Sequence, residues 1–119
     1  MARVTLTKQV PLGPYPTLPV GAGTMTLTET AADTTNKEQF VPSGDDLIIA
    51  HNTGASARTI TITSAADERK RTGDVSTYSI AAGGIAAFRI QKPGWMQTDG
   101  KIYIEASNAE VKWAVAQLG

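Results

Sequence analysis

The side chains that could carry chemistry in this chain are few and poorly placed for it. His51 is the single histidine and there is no cysteine among the 119 residues, so a zinc site has no ligand set to draw on. Asp45 and Asp46 could offer oxygens to a hard cation. Calcium, however, asks for about six to eight oxygens from a loop of defined spacing, and no such pattern surrounds the pair. These acids read instead as turn formers ahead of a strand. Serines and threonines are plentiful, but none lies in a Gly-x-Ser-x-Gly elbow, and one histidine leaves a nucleophile almost no choice of base. A glycosidase pair of carboxylates would need a cleft lined with aromatics, and the chain has two Trp, three Tyr and two Phe in all. The expectation is therefore a non-enzyme, with no catalytic residue, no metal ligand and no cofactor or small-molecule substrate.

Charge narrows the partners further. Eleven basic and eleven acidic residues cancel, which removes the broad pull on phosphate backbones or anionic lipid that a basic chain would exert. The basic cluster Arg69-Lys70-Arg71 is flanked by Asp67, Glu68 and Asp74, so neither nucleic acid nor membrane is an expected partner. The opening residues carry charges but no apolar core of about 7–15 residues, and no run approaches the roughly 18 apolar residues of a membrane span. The expectation is a soluble chain made in a reducing cytoplasm, which the lack of cysteine fits.

The elements that must position a binding surface are strands. Residues 58–63 (Arg-Thr-Ile-Thr-Ile-Thr) and 101–106 (Lys-Ile-Tyr-Ile-Glu-Ala) alternate apolar and polar side chains, as half-buried strands do. Further strand signals fall at 24–30, 39–41, 75–80, 85–90 and 111–115. Residues 47–50 are apolar on both faces and predict a central strand covered on two sides. The turn residues 52–56 predict a hairpin from 47–50 into 58–63, and 81–84 a second hairpin pairing 75–80 with 85–90. Seven or eight short strands at this spacing predict an all-β fold, a β-sandwich or jelly-roll-like small barrel. A chain of about 100–150 residues is one domain.

Residues 1–23 differ from the rest. Pro11, Pro14, Pro16 and Pro19 remove backbone donors and fix φ, so this stretch is neither a helix nor a central strand. It predicts an extended N-terminal arm ahead of a β-domain spanning residues 24–119. Val4, Leu6, Val10, Leu12, Tyr15, Leu18 and Val20 are more apolar than a free linker, so the arm docks, either along its own domain or on a neighbouring subunit. Trp113 alternates with Val111 and Val115 and reads as core. Trp95, after Pro93-Gly94, reads either as an exposed anchor or as a lid on one end of the sandwich. Leu12, Tyr15, Leu18 and Trp95 are the candidate interface residues.

The order of several segments carries a resemblance. Leu47-Ile-Ile-Ala-His-Asn-Thr-Gly-Ala-Ser56, Thr59-Ile-Thr-Ile-Thr63, Arg71-Thr-Gly-Asp74, Ile80-Ala-Ala-Gly-Gly84, Gly94-Trp95 and Lys101-Ile-Tyr-Ile-Glu-Ala-Ser-Asn108 with 111–115 resemble the capsid decoration (cement) proteins of tailed bacteriophages. The likeness covers about residues 39–118, and loosely the Gly13-Pro-Tyr-Pro16 region. It implies a virion protein on the outer capsid surface, bound in many copies to the major capsid protein, commonly as a homotrimer bridging capsid subunits. Such families have no catalytic residues to carry over. The rival readings are a head–tail adaptor or tail structural protein, and a carbohydrate-binding β-sandwich.

Overall fold

The computed structural model describes residues 3–10, 27–65 and 73–118, and within them the chain is all β. Nine strands follow one another: β1 (Val4–Thr5), β2 (Thr30–Ala31), β3 (Glu38–Phe40), β4 (Asp46–Asn52), β5 (Arg58–Ile62), β6 (Val75–Ile80), β7 (Ile85–Ile90), β8 (Ile102–Ala106) and β9 (Val111–Gln117). They form two sheets in the orders β1-β3-β8-β5-β6 and β2-β9-β4-β7. Without β1, this is the four-on-four order of a jelly-roll sandwich. β1 adds to it by pairing parallel to β3.

The alternation read from the sequence explains the core. β4 buries every second residue, and Ile48 and Ala50 meet Ile60 and Ile62 of β5 and Ile102 and Ile104 of β8 in one cluster. Trp113, Val111 and Val115 of β9 complete it. Isoleucine recurs because a β-branched side chain packs well on a pleated surface, and each such burial stabilises by about 1.5–3 kcal/mol. β4 is central, between β9 and β7, but its outer-face residues Leu47 and Ile49 are only half-buried, so the expected cover on both faces is partial. The predicted strand at 24–30 reduces, within the described residues, to the two residues of β2.

Neither predicted hairpin forms. β4 and β5 lie in different sheets, as do β6 and β7. Among the described strands, β5 and β6 are the one consecutive pair that share a ladder. The cause lies in Asn52, fully buried at the end of β4. Its amide Nδ2 donates to Ser56 O (2.8 Å), Ile80 O (3.0 Å) and Ala81 O (3.3 Å), and its Oδ1 accepts from Gly54 N–H at 3.0 Å. One side chain thus pins both crossings, turning each short connection from a hairpin into an arch. A side chain at Gly54 would have to push aside the end of the Glu110 side chain, whose carboxylate Arg58 Nη2 holds at 2.6 Å.

Residues 3–10 belong to the sandwich. Val4 and Leu6 N–H groups donate to Lys37 O and Gln39 O, both at 2.8 Å, and the Leu6 side chain enters the core. Gln9 then bridges to the other sheet, its N–H donating to Val115 O and its carbonyl accepting from Gln117 N–H, both at 2.7 Å. Arg3 adds a bond to Glu38 O at 3.0 Å and lies over the Tyr103 ring at 4.2 Å. This segment docks along its own domain and stitches one flank of the sandwich shut. Residues 11–23 of the predicted arm lie outside the described residues.

Candidate functional site

The opposite flank is built from the other two edge strands, β6 and β7, joined by residues 81–84. Because these strands sit in different sheets and do not pair, the sandwich gapes between them. The gap is an apolar slot of about 330 Å³, floored by Ile48, Ala50, Ile60 and Ile62 and walled by Tyr78 and Phe88 among others. Tyr78 is 55% and Ile85 65% exposed, the two most exposed large apolar side chains among the described residues. An apolar opening of this kind on a stable scaffold marks a binding surface more often than a surface left bare.

The two edges differ in regularity. β6 shifts register against β5 between Ile60 and Ile62, and Thr77 takes a positive φ of 48°, so its edge is bulged and unsuited to further pairing. β7 runs in unbroken antiparallel register with β4, from Asp46↔Ile90 to His51↔Ile85. Asn52 N–H donates to Gly84 O at 2.9 Å, which fixes the phase of the ladder. By antiparallel alternation, the backbone groups of Ala86, Phe88 and Ile90 face β4 and those of Ile85, Ala87 and Arg89 face outward. Arg89 is the one charged side chain of either strand, and it is neutralised by Asp45 through two bonds of 2.8 and 2.7 Å. That contact holds the Asp45 carboxyl below its ordinary value.

Of the predicted interface residues, Trp95 is described and Leu12, Tyr15 and Leu18 are not. Trp95 lies in the turn after β7, half-buried, its ring edge-on to Phe88 at 5.3 Å and 74°. There it packs against the core and backs the aromatic wall of the slot. Trp113 is core, as expected. Asp46 is buried and receives the Ser43 N–H at 2.8 Å together with the Ser43 hydroxyl, the turn role expected of it. His51 Nδ1 meets the Glu29 carboxylate at 3.0 Å. Among the described residues, no three His, Cys, Asp or Glu side chains converge as a metal site would need. Tyr78, Ile85 and Phe88 were not singled out by sequence reasoning. The signal that could have found them is a pair of strands with almost no charge, an edge left without the lysines or prolines that usually blunt one.

One acid stands apart. Glu38 of β3 is buried at 1% exposure. Burial pushes its carboxyl up, and the Asp33 N–H bond at 2.5 Å to Oε2 offsets part of this. The Trp113 indole N–H lies close enough to favour the charged form but lacks hydrogen-bond geometry, so Glu38 Oε1 and Trp113 Nε1 both stay unpaired. This group holds the loop from Asp33 to Lys37 onto the closed flank and lies away from the slot.

Comparison with protein-family models, curated proteins and solved structures gives no match in any of the three. The class is therefore set by the fold itself, a jelly-roll β-sandwich with one flank closed by its own N-terminal segment and one left open.

Proposed function

We propose that this chain is a non-enzymatic virion structural protein that decorates the outer surface of a phage head, bridging subunits of the major capsid protein. The observation that carries the reading is the open, nearly uncharged flank on a jelly roll whose described acids are engaged in turns and ion pairs. Asp46 clamps Ser43, Asp45 clamps Arg89, Asp74 clamps Ser64 and Glu110 clamps Arg58. Such a molecule offers contact area in place of chemistry, and the segment order, which resembles that of capsid decoration proteins, supports the same reading. Made in the host cytoplasm, it would bind assembled heads in many copies, as a homotrimer in the arrangement the resemblance implies. Each copy adds a modest interface, and linked copies multiply it through effective concentration.

With a net charge of zero, counterion release supplies little of the affinity, and buried apolar and aromatic contacts supply most. The test is titration of the purified protein onto undecorated heads at ~50 and ~500 mM salt, where the screening length differs about threefold. The expected result is saturable binding that changes less than about tenfold between the two. Loss of binding by about a hundredfold at high salt, or no saturable binding at either, contradicts the reading.

A further inference from the structure

We propose that two copies of this chain pair through β7, antiparallel about a two-fold axis at Ala87, joining their two β2-β9-β4-β7 sheets into one continuous sheet. The inference rests on the edge geometry alone and stands or falls separately from the decoration reading. Ile85, Ala87 and Arg89 turn their backbone N–H and C=O groups outward along a strand whose register is unbroken. No described segment covers them, since Ile85 and Ala87 are exposed and β7 ends its sheet. A regular edge of this kind is a template for another strand.

The strand that fits it is β7 itself. With Ala87 on the axis, Ile85 of one copy lies opposite Arg89 of the other, so the outward-facing backbone groups match in full along the pair. On the inner face, Phe88 of one copy lies opposite Ala86 of the other, a large side chain against a small one. On the outer face, the smallest side chain, Ala87, meets its own copy, so nothing crowds the axis. Like charges never face each other, because each Arg89 stands opposite an isoleucine and is already neutralised by its own Asp45. The pairing also brings the two slots side by side, covering the apolar walls that Tyr78 and Phe88 leave open. β6 offers no such contact, because its bulge and the positive φ of Thr77 break the edge. A two-fold contact of this kind leaves any three-fold contact elsewhere on the molecule free to form.

The experiment is sedimentation analysis of the full chain from ~1 µM to ~1 mM, with the variants Ala87→Lys, Ala87→Glu and Ala87→Pro. The wild type is expected to double in mass as concentration rises, whatever its smallest unit. Ala87→Lys and Ala87→Glu each place like charges directly opposite across the axis and should weaken doubling about fivefold. An equimolar mixture of the two should restore it. Ala87→Pro removes the central N–H of both copies and should weaken it about tenfold or more. Because Ala87 is exposed, none of the charge variants should disturb the fold. Absence of doubling in the wild type at ~1 mM, doubling unchanged in Ala87→Lys, or no recovery in the mixture overturns the proposal.

Discussion

The two flanks of this sandwich meet the same problem with opposite outcomes. Any two-sheet sandwich has a gap along each side, where edge strands show unpaired backbone and the core shows between them. On the β1/β2 side the chain fills the gap with its own residues 3–10. Leu6 enters the core and Gln9 ties β9 of the far sheet to the segment that pairs with β3. On the β6/β7 side the described chain supplies no such segment, and an apolar slot and a regular edge remain. The contrast teaches where stability and binding live. The closed flank belongs to folding, and the open flank is where the proposed contacts would form.

That division can be broken by mutation, and the largest effect should come from the joint between the sheets. Replacing Asn52 by alanine strips donors from three buried or part-buried carbonyls at once, at both arches. The expected cost is about 3–4 kcal/mol, read by chemical denaturation. A cost near zero would mean the arches hold without their pin. Next is the closed flank, where Leu6→Ala should cost about 2–3 kcal/mol from lost burial and a residual cavity. Deleting residues 2–9 should destabilise at least as much. If either change is neutral, residues 3–10 are an ornament and the two flanks do not differ.

A smaller effect should appear in the pH dependence of the closed flank. Burial raises the Glu38 carboxyl above its ordinary value near 4.5, so the folded state holds a proton that the unfolded state has released. Stability from this group is complete below about 4.5 and is lost as pH rises through the raised folded value. Asp33, Asp45, Asp74 and Asp99 are shifted the other way, down from 3.8, by hydrogen bonds to Asn36, Arg89, Ser64 and Tyr103 respectively. Their contribution is present above 3.8 and is lost as pH falls through their lowered values. Denaturation of wild type and Glu38→Gln between pH 4 and 8 should therefore show the variant gaining on the wild type as pH rises. A constant difference would place Glu38 in a more solvated site than its burial indicates.

Much of the fold was legible because period-two alternation is local. The runs at 58–63 and 101–106 appear as β5 and β8 with their apolar residues inward. Pairing was not legible, because a four- or five-residue turn fits a hairpin and an arch equally well. The choice between them was made by Asn52, whose partners at Ile80 and Ala81 lie far along the chain. Val4 and Leu6 were recognised as docking residues, yet their strand of two residues is too short to leave a periodic signal. The open flank was hidden for a related reason. The alternation of Ile85 to Ile90 shows which face is apolar, but only the strand order shows that β7 ends a sheet. Trp95 announced itself through Pro93-Gly94, but its contact with Phe88 shows only in the folded chain.

The most direct test of the difference between the flanks is amide hydrogen exchange, residue by residue, at low and high protein concentration. In dilute solution the N–H groups of Val4, Leu6 and Gln9 should be protected by their bonds to Lys37, Gln39 and Val115, while those of Ile85, Ala87 and Arg89 should exchange freely. At high concentration the second set should become protected and the first should not change. Equal protection of both sets in dilute solution, or free exchange at Leu6 and Gln9, would contradict the account.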